Sequence, residues 1–288
     1  MPASINLFLY DSYLVLFMAW RLLDFQNRNI FENMAIDEAI LHETIKNKKS
    51  PTIRFYGSRP AAVTIGYFQD ARTEVNIEKC HKDGLDVARR ISGGKAVLHC
   101  HEITYCVVAG DQEKIFPSDI PGTYKVISKC ISRGLAYLGI RADLAEGGRN
   151  GAGEELKSCC FSVPSRNELL VGGRKICGSA QVRRRGGFLQ HGSLLLAFDP
   201  GETASLLLPA RTPRQLEKLR ETVTAVNEEL VSPVDVQEIC LQLKRGFTAE
   251  LGIEIVSETM TPAEEILKNE LMKKYIDVNW NVEREKIF

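Results

Sequence analysis

Two cysteines stand side by side in ELKSCCFSVPS, Cys159 and Cys160. A thiolate held near a cation attacks carbonyl carbons, whereas a thiol packed among apolar groups is inert. Neighbours on an extended segment point to opposite faces, so one of the pair faces a given pocket and the other is a small hydrophobe. A second cluster is RRISGGKAVLH (89–99), a turn crowded with positive charge. It is not a P-loop, because Arg89 and Ala96 stand where that motif needs glycine and Ser/Thr. Its glycines still allow a ligand close to the backbone, and Arg89, Arg90 and Lys95 offer charge to a phosphate or carboxylate. A bulged strand entry with solvated arginines is the competing reading. His99 and His101 fall on one strand face with Glu102 next to them, a pairing that suits zinc. No third ligand follows at a recognisable spacing, so no metal is expected.

The elements that position these groups belong to a globular chain. It has 288 residues, 44% hydrophobic and 26% charged, with Lys+Arg and Asp+Glu both at 37. A net charge of zero removes any global attraction to nucleic acid or an anionic membrane. Eight cysteines without a C-x-x-C pair point to reduced thiols in the cytoplasm. The first seventeen residues are apolar but interrupted by Asp11, lack a basic n-region, and are too short for a membrane span. They read as an upstream-start extension before Met18, with a weak membrane anchor as the alternative. No other segment is a candidate to cross a bilayer.

FENMAIDEAILHETIK (31–46) has Phe31, Met34, Leu41 and Ile45 on one face and Ile36 and Ile40 opposite, which predicts a largely buried helix. TIRFYG (52–57), AAVTIGYF (61–68), a long run over 94–108, 168–182 and 188–198 read as strands, and 124–140 as a helix. The middle of the chain is mostly sheet without regular βαβ alternation, so the fold class is α+β. Three helix starts share one grammar, TPRQ at Thr212, SPVD at Ser232 and TPAE at Thr261, each with an N-cap residue followed by proline. The expected division is therefore an extension over 1–17, a catalytic domain over 18–210 and a helical C-terminal region over 211–288.

The segments WRLLD, NMAIDEAIL, IRFYGSRPAAVTIGYFQ, RRISGGKAVLHCHEITY, CFSVPS, GGRKICGSAQ and LQHGSLLL occur in that order. Together they resemble the biotin/lipoate protein ligase superfamily. Within it the chain is similar to the Gram-positive octanoyl-[acyl carrier protein]:protein N-octanoyltransferases. The resemblance implies a mixed, mainly antiparallel sheet flanked by helices. It implies octanoyl transfer from octanoyl-acyl carrier protein to a lysine of a lipoyl domain, that of the glycine cleavage system H protein, with no ATP or metal cofactor.

The resemblance also assigns residues. C-F-x-x-P-S makes Cys160 the nucleophile, and GRK makes Lys175 the cation that stabilises its thiolate and shuttles protons. The glycine loop, with Arg89, Arg90, Gly93, Gly94, Ala96 and His99, becomes the substrate-binding loop. The small residues Gly178, Ser179 and Ala180 line a narrow acyl slot, and His191 either orients ligand or backbone or is a core histidine satisfied by hydrogen bonds. Arg183, Arg184 and Arg185 are either a solvated hairpin turn or a docking patch for an acidic carrier protein. NELLVGGRK is similar to the N-D-x-x-x-x-G-x-K run of lipoate ligases, with Glu168 in place of the aspartate. That keeps an ATP-dependent lipoate–protein ligase as the alternative. A lipoyl-protein binding module without turnover is a third reading, which leaves the thiol unexplained.

Overall fold

The computed structural model describes residues 19–145, 168–207 and 212–283. In chain order the elements are β1 (Trp20–Arg28), α1 (Ile30–Asn47), β2 (Thr52–Ser58), β3 (Ala62–Ile65), α2 (Ala71–Glu74), α3 (Ile77–Lys82), β4 (Asp86–Arg89), β5 (Val97–His99) and β6 (Glu102–Gly110). Then follow α4 (Ile120–Tyr137), β7 (Asp143–Leu144), β8 (Leu169–Val171), β9 (Arg174–Arg184), β10 (Gly187–Leu195) and α5 (Pro200–Leu207). The last are α6 (Pro213–Thr222), α7 (Val226–Glu229), α8 (Val236–Leu251), β11 (Ile255–Ser257), α9 (Pro262–Tyr275) and a π-helical turn (Asn279–Glu283).

An eight-stranded sheet runs in the order β11-β1-β2-β6-β10-β9-β8-β7. β1 pairs in parallel with both β11 and β2, and the remaining neighbours are antiparallel. A three-stranded sheet, β4-β3-β5, packs beside it. Alternation along β6 sends Ile103, Tyr105 and Val107 into a core under α4 and α8. Cys106 and Val108 face the opposite core, with Met34, Ile36 and Ile40 of α1. Helices thus cover both faces, which is why β6 and β10 are buried along their whole length. α4 and α8 cross at Gly134 and Gly246, where a Cβ on Gly246 would lie 2.3 Å from the Cys130 carbonyl oxygen. Only hydrogen in place of a side chain permits that approach.

Most sequence expectations hold, and three change. The run over 94–108 is two strands in two sheets. The chain bends at Cys100 and His101, and buried His99 Nδ1 meets Glu102 Oε1 across the break. Exposed His101 therefore does not share a strand face with His99. The helix expected from Ser232 begins at Val236, because Asp235 accepts from Gln237 N at 2.7 Å and brings a negative charge to the helix N-terminus. The C-terminal region is not wholly helical, since β11 extends the main sheet. The caps at Thr212 and Thr261 form capping boxes as expected. The extension over 1–17 and Met18 lie outside the described residues.

Candidate active site

Lys175 sits on β9 and is completely buried. A lysine there needs a counter-charge. Glu168, just before β8, supplies it, with Lys175 Nζ donating to Glu168 Oε1 at 2.7 Å. The β8–β9 hairpin brings the two together, and Thr224 N donates to the Lys175 carbonyl at 3.0 Å from outside the hairpin. Cys159 and Cys160 lie outside the described residues. Cys177 stands two residues from Lys175, but burial pushes its thiol up to about 12 despite the lysine. Burial likewise raises the thiols of Cys80, Cys100, Cys106, Cys130 and Cys240. None of the six described thiols is primed to ionise.

About 10 Å further along β9 at strand rise, the two sheets meet around a narrow slot. Gly178, Ser179 and Ala180 of β9 form one wall with His191, Gly192 and Ser193 of β10. Arg90, Gly94, Val97 and His99 form the other. Met34, Tyr56, Thr64 and Thr104 complete the lining. Seven of the residues singled out in the sequence therefore come together: Arg90, Gly94, His99, Gly178, Ser179, Ala180 and His191.

Three others do not reach the slot. Arg89 is fully buried elsewhere and gives its guanidinium to the carbonyls of Gly66, Tyr67, Gln69, Trp280 and Asn281. It staples the loop after β3 to the π-helical turn, because five backbone acceptors converge on one fixed fork of donors. Ala96 is buried in the apolar core of the small sheet. Gly93 stands behind the wall, its carbonyl accepting from Arg90 Nη2 at 3.0 Å.

Two buried networks back the slot. In the first, Arg90 Nη1 donates to Thr64 Oγ1 at 2.7 Å, and Thr64 Oγ1 lies 2.7 Å from His99 Nε2. His99 Nδ1 meets Glu102 Oε1, which also accepts from Thr104 Oγ1 at 2.6 Å. Burial raises the Glu102 carboxyl, but the His99 charge and hydrogen bonds outweigh it and leave the carboxyl below its usual range. In the second network, Asp37 of α1 accepts from Arg54 Nη1 at 2.7 Å and from Tyr56 Oη at 2.8 Å. Burial opposes the Asp37 charge, but Arg54 and His191 prevail and hold the carboxyl below its ordinary value. Asp37 Oδ2 faces His191 Nδ1 at 3.4 Å, and His191 Nε2 lies 2.6 Å from Ser92 Oγ. Burial lowers the His191 pKa, so the ring is neutral: Nδ1–H donates to Asp37 and Nε2 accepts from Ser92.

Sequence reasoning missed Asp37, Thr64, Ser92 and Glu102 as members of the site. One signal was present: Asp37 and Glu38 sit inside a helix apolar on two sides, where buried acids need partners. Among the described residues no group of three His, Cys, Asp or Glu side chains is placed to hold a metal ion.

Residues 29–248 match the lipoyl protein ligase A/B catalytic domain. The chain belongs to the lipoyl protein ligase A/B family. Octanoyltransferase LipM of Brevibacillus brevis is 38% identical over 277 residues, covering 92% of this chain and 99% of that protein. Octanoyltransferase LipM of Bacillus subtilis is 37% identical over 273 residues, covering 92% and 98%. A crystal structure of lipoate-protein ligase A bound with ATP superposes with a TM-score of 0.76 at 30% identity, covering 92% of this chain and 99% of that one. The mixed sheet with flanking helices is thus the lipoyl protein ligase A/B fold, and the slot lies between its two sheets.

Proposed function

We propose that this chain is an octanoyltransferase of lipoate biosynthesis. It takes an octanoyl group from octanoyl-acyl carrier protein and places it on a lysine of a lipoyl domain, with the glycine cleavage system H protein as acceptor. The observation that carries this reading is the chemistry of the slot wall. The nitrogens of His99 and His191 and the hydroxyl of Tyr56 are engaged behind the wall. Much of what faces the slot is therefore carbon, as a fatty acyl chain requires and a phosphate does not. The LipM relatives at 37–38% identity support the same activity.

The transfer runs in two balanced steps. The Cys160 thiolate attacks the donor thioester carbonyl, the carbon–sulfur bond to the carrier breaks, and the departing thiolate takes a proton from Lys175. The neutral amine of the acceptor lysine then attacks the Cys160 thioester. An amide forms, Cys160 leaves as thiolate, and the surplus amine proton returns to Lys175. Thioester exchange is nearly isoenergetic and amide formation is downhill, so neither ATP nor a metal is needed. Glu168 Oε1 accepts from Lys175 Nζ at 2.7 Å and holds the lysine head in place. Balanced charge and reduced thiols suit the cytoplasm.

The test is intact-mass spectrometry of the protein mixed with octanoyl-acyl carrier protein in the absence of ATP. The expected result is a hydroxylamine-labile octanoyl adduct that Cys160→Ala lacks and Cys159→Ala retains. Transfer by Cys160→Ala from free lipoate and ATP would establish the ligase instead.

A further inference from the structure

One wall of the slot, with Arg90, Gly94, Val97 and His99, is held from behind by a part of the chain far away in sequence. Trp280 and Asn281 lie in the π-helical turn, beyond residue 248 where the match to the family's catalytic domain ends. Both are buried. We propose that these two are positioning residues for the slot, acting through Arg89.

Arg89 is gripped by backbone and side chain at once. Its N–H donates to Asn281 Oδ1 at 2.9 Å, and its carbonyl accepts from Trp280 Nε1 at 3.0 Å. Its guanidinium donates to the Trp280 carbonyl at 3.0 Å and to the Asn281 carbonyl at 3.1 Å. The same guanidinium reaches forward to the carbonyls of Gly66, Tyr67 and Gln69. Two routes lead from there to the slot. Arg90 is the next residue, and it donates to Thr64 Oγ1 at 2.7 Å and to the carbonyls of Gly93 and Lys95 at 3.0 Å each. Gly66 packs directly on the glycine loop, where a Cβ on it would lie 2.0 Å from the Gly94 carbonyl oxygen.

The turn is itself anchored. Asn281 Nδ2 donates to the Tyr275 carbonyl at 2.6 Å. The Trp280 ring centroid lies 5.9 Å from that of Tyr67 and 6.2 Å from that of Tyr275, with Lys274 Nζ 4.0 Å away. Lys274 and Tyr275 both donate to Glu38 of α1, the neighbour of the Asp37 that faces His191 in the other wall. Both walls are thus referenced to α1. Removing one of the bonds to Arg89 leaves a buried polar atom unpaired, and the loops on either side of Arg89 relax to satisfy it.

The experiment compares the full-length wild-type chain with Asn281→Ala and Trp280→Phe. The first removes the acceptor of the Arg89 N–H, and the second removes an N–H donor while keeping an aromatic ring. Amide hydrogen exchange is read residue by residue, and steady-state octanoyl transfer is assayed in parallel. The decisive amides are Tyr67 and Arg90, because both substitutions leave their own acceptors in place, Ser92 O at 2.8 Å and Ile65 O at 2.9 Å. Both amides are expected to exchange faster in the variants while those of β6 and β10 keep wild-type rates. The KM for the acyl donor is expected to rise roughly three- to tenfold, the scale of one buried hydrogen bond. The kcat stays near its wild-type value, because Lys175 is on β9, in the other wall's strand. Unchanged exchange at Tyr67 and Arg90 overturns the inference. So does faster exchange throughout β6 and β10, which is general destabilisation, or local loosening with an unchanged KM. Only the kinetic arm rests on the proposed function. A wild-type chain that transfers no octanoyl group, with the local change in exchange still seen in the variants, would sink that function and leave the positioning role standing.

Discussion

Lys175 and Glu168 are chemically one unit, because neither is tolerable alone in a buried site. Lys175→Met removes the cation from the buried Glu168 carboxylate and is expected to lower stability, by up to about 3–5 kcal/mol. Adding Glu168→Gln removes the carboxylate charge and recovers part of that loss, while octanoyl transfer stays abolished in both variants. Denaturant unfolding and transfer assays on the two proteins check this. Transfer regained in the double variant would mean that Lys175 serves only the fold. Lys175 was legible in the sequence because GRK-x-x-GSAQ surrounds it. Glu168 was visible in the same run, in place of the aspartate of the lipoate ligases, but its pairing with Lys175 was not, because that depends on the β8–β9 hairpin closing. Ser92 was equally opaque, since its role depends on a histidine 99 positions away.

α1 shows how an element carries charge into a core. Glu38 accepts from Lys274 Nζ at 2.7 Å and from Tyr275 Oη at 2.7 Å, tying α1 to α9. Burial raises the Glu38 carboxyl, but hydrogen bonds from His42, Lys274 and Tyr275 together with the Lys274 charge bring it down to about 2. Its folded pKa is below the unfolded value of 4.5, so its stabilisation is present above about pH 5 and is lost as pH falls toward 2. Burial also lowers the Lys274 pKa, so the pair stabilises by less than Glu38 alone would suggest. Thermal unfolding across pH 2–6 is expected to show a steep acid limb that Glu38→Gln flattens. An identical limb in the variant would assign the acid sensitivity to other groups.

Periodicity located α1 to within a residue at each end, because apolar side chains on two faces leave little choice. It failed at 94–108, where strand-like residues run on across Cys100 and His101 although the chain bends there from one sheet to the other, beside the local His99–Glu102 contact. Arg89 failed for the opposite reason. Its sequence neighbours suggest a ligand site, yet distant backbone carbonyls claim it.

At the scale of the molecule, the arginine run at 183–185 divides. Arg183 donates to Pro117 O at 3.0 Å and stacks 4.9 Å over Phe188, holding the start of α4 against β10. Arg184 and Arg185 remain exposed beside a groove between α1 and α9. If an acidic carrier protein approaches there, Arg184→Gln/Arg185→Gln lowers kcat/KM at low salt and flattens its salt dependence, with little change in kcat. An unaltered salt profile would place carrier docking elsewhere. No helix among the described residues is long and apolar enough to cross a membrane.

The main sheet ends in very short strands, three residues of β11 on one side and two of β7 on the other. Its long apolar strands, β6 and β10, are interior. A row of unpaired backbone groups is what lets one sheet template onto another, and β6 and β10 have a strand neighbour on each side. The strands most prone to self-association are therefore shielded while the chain is folded. Aggregation should begin only once β6 and β10 separate from their neighbours, so its onset should coincide with global unfolding.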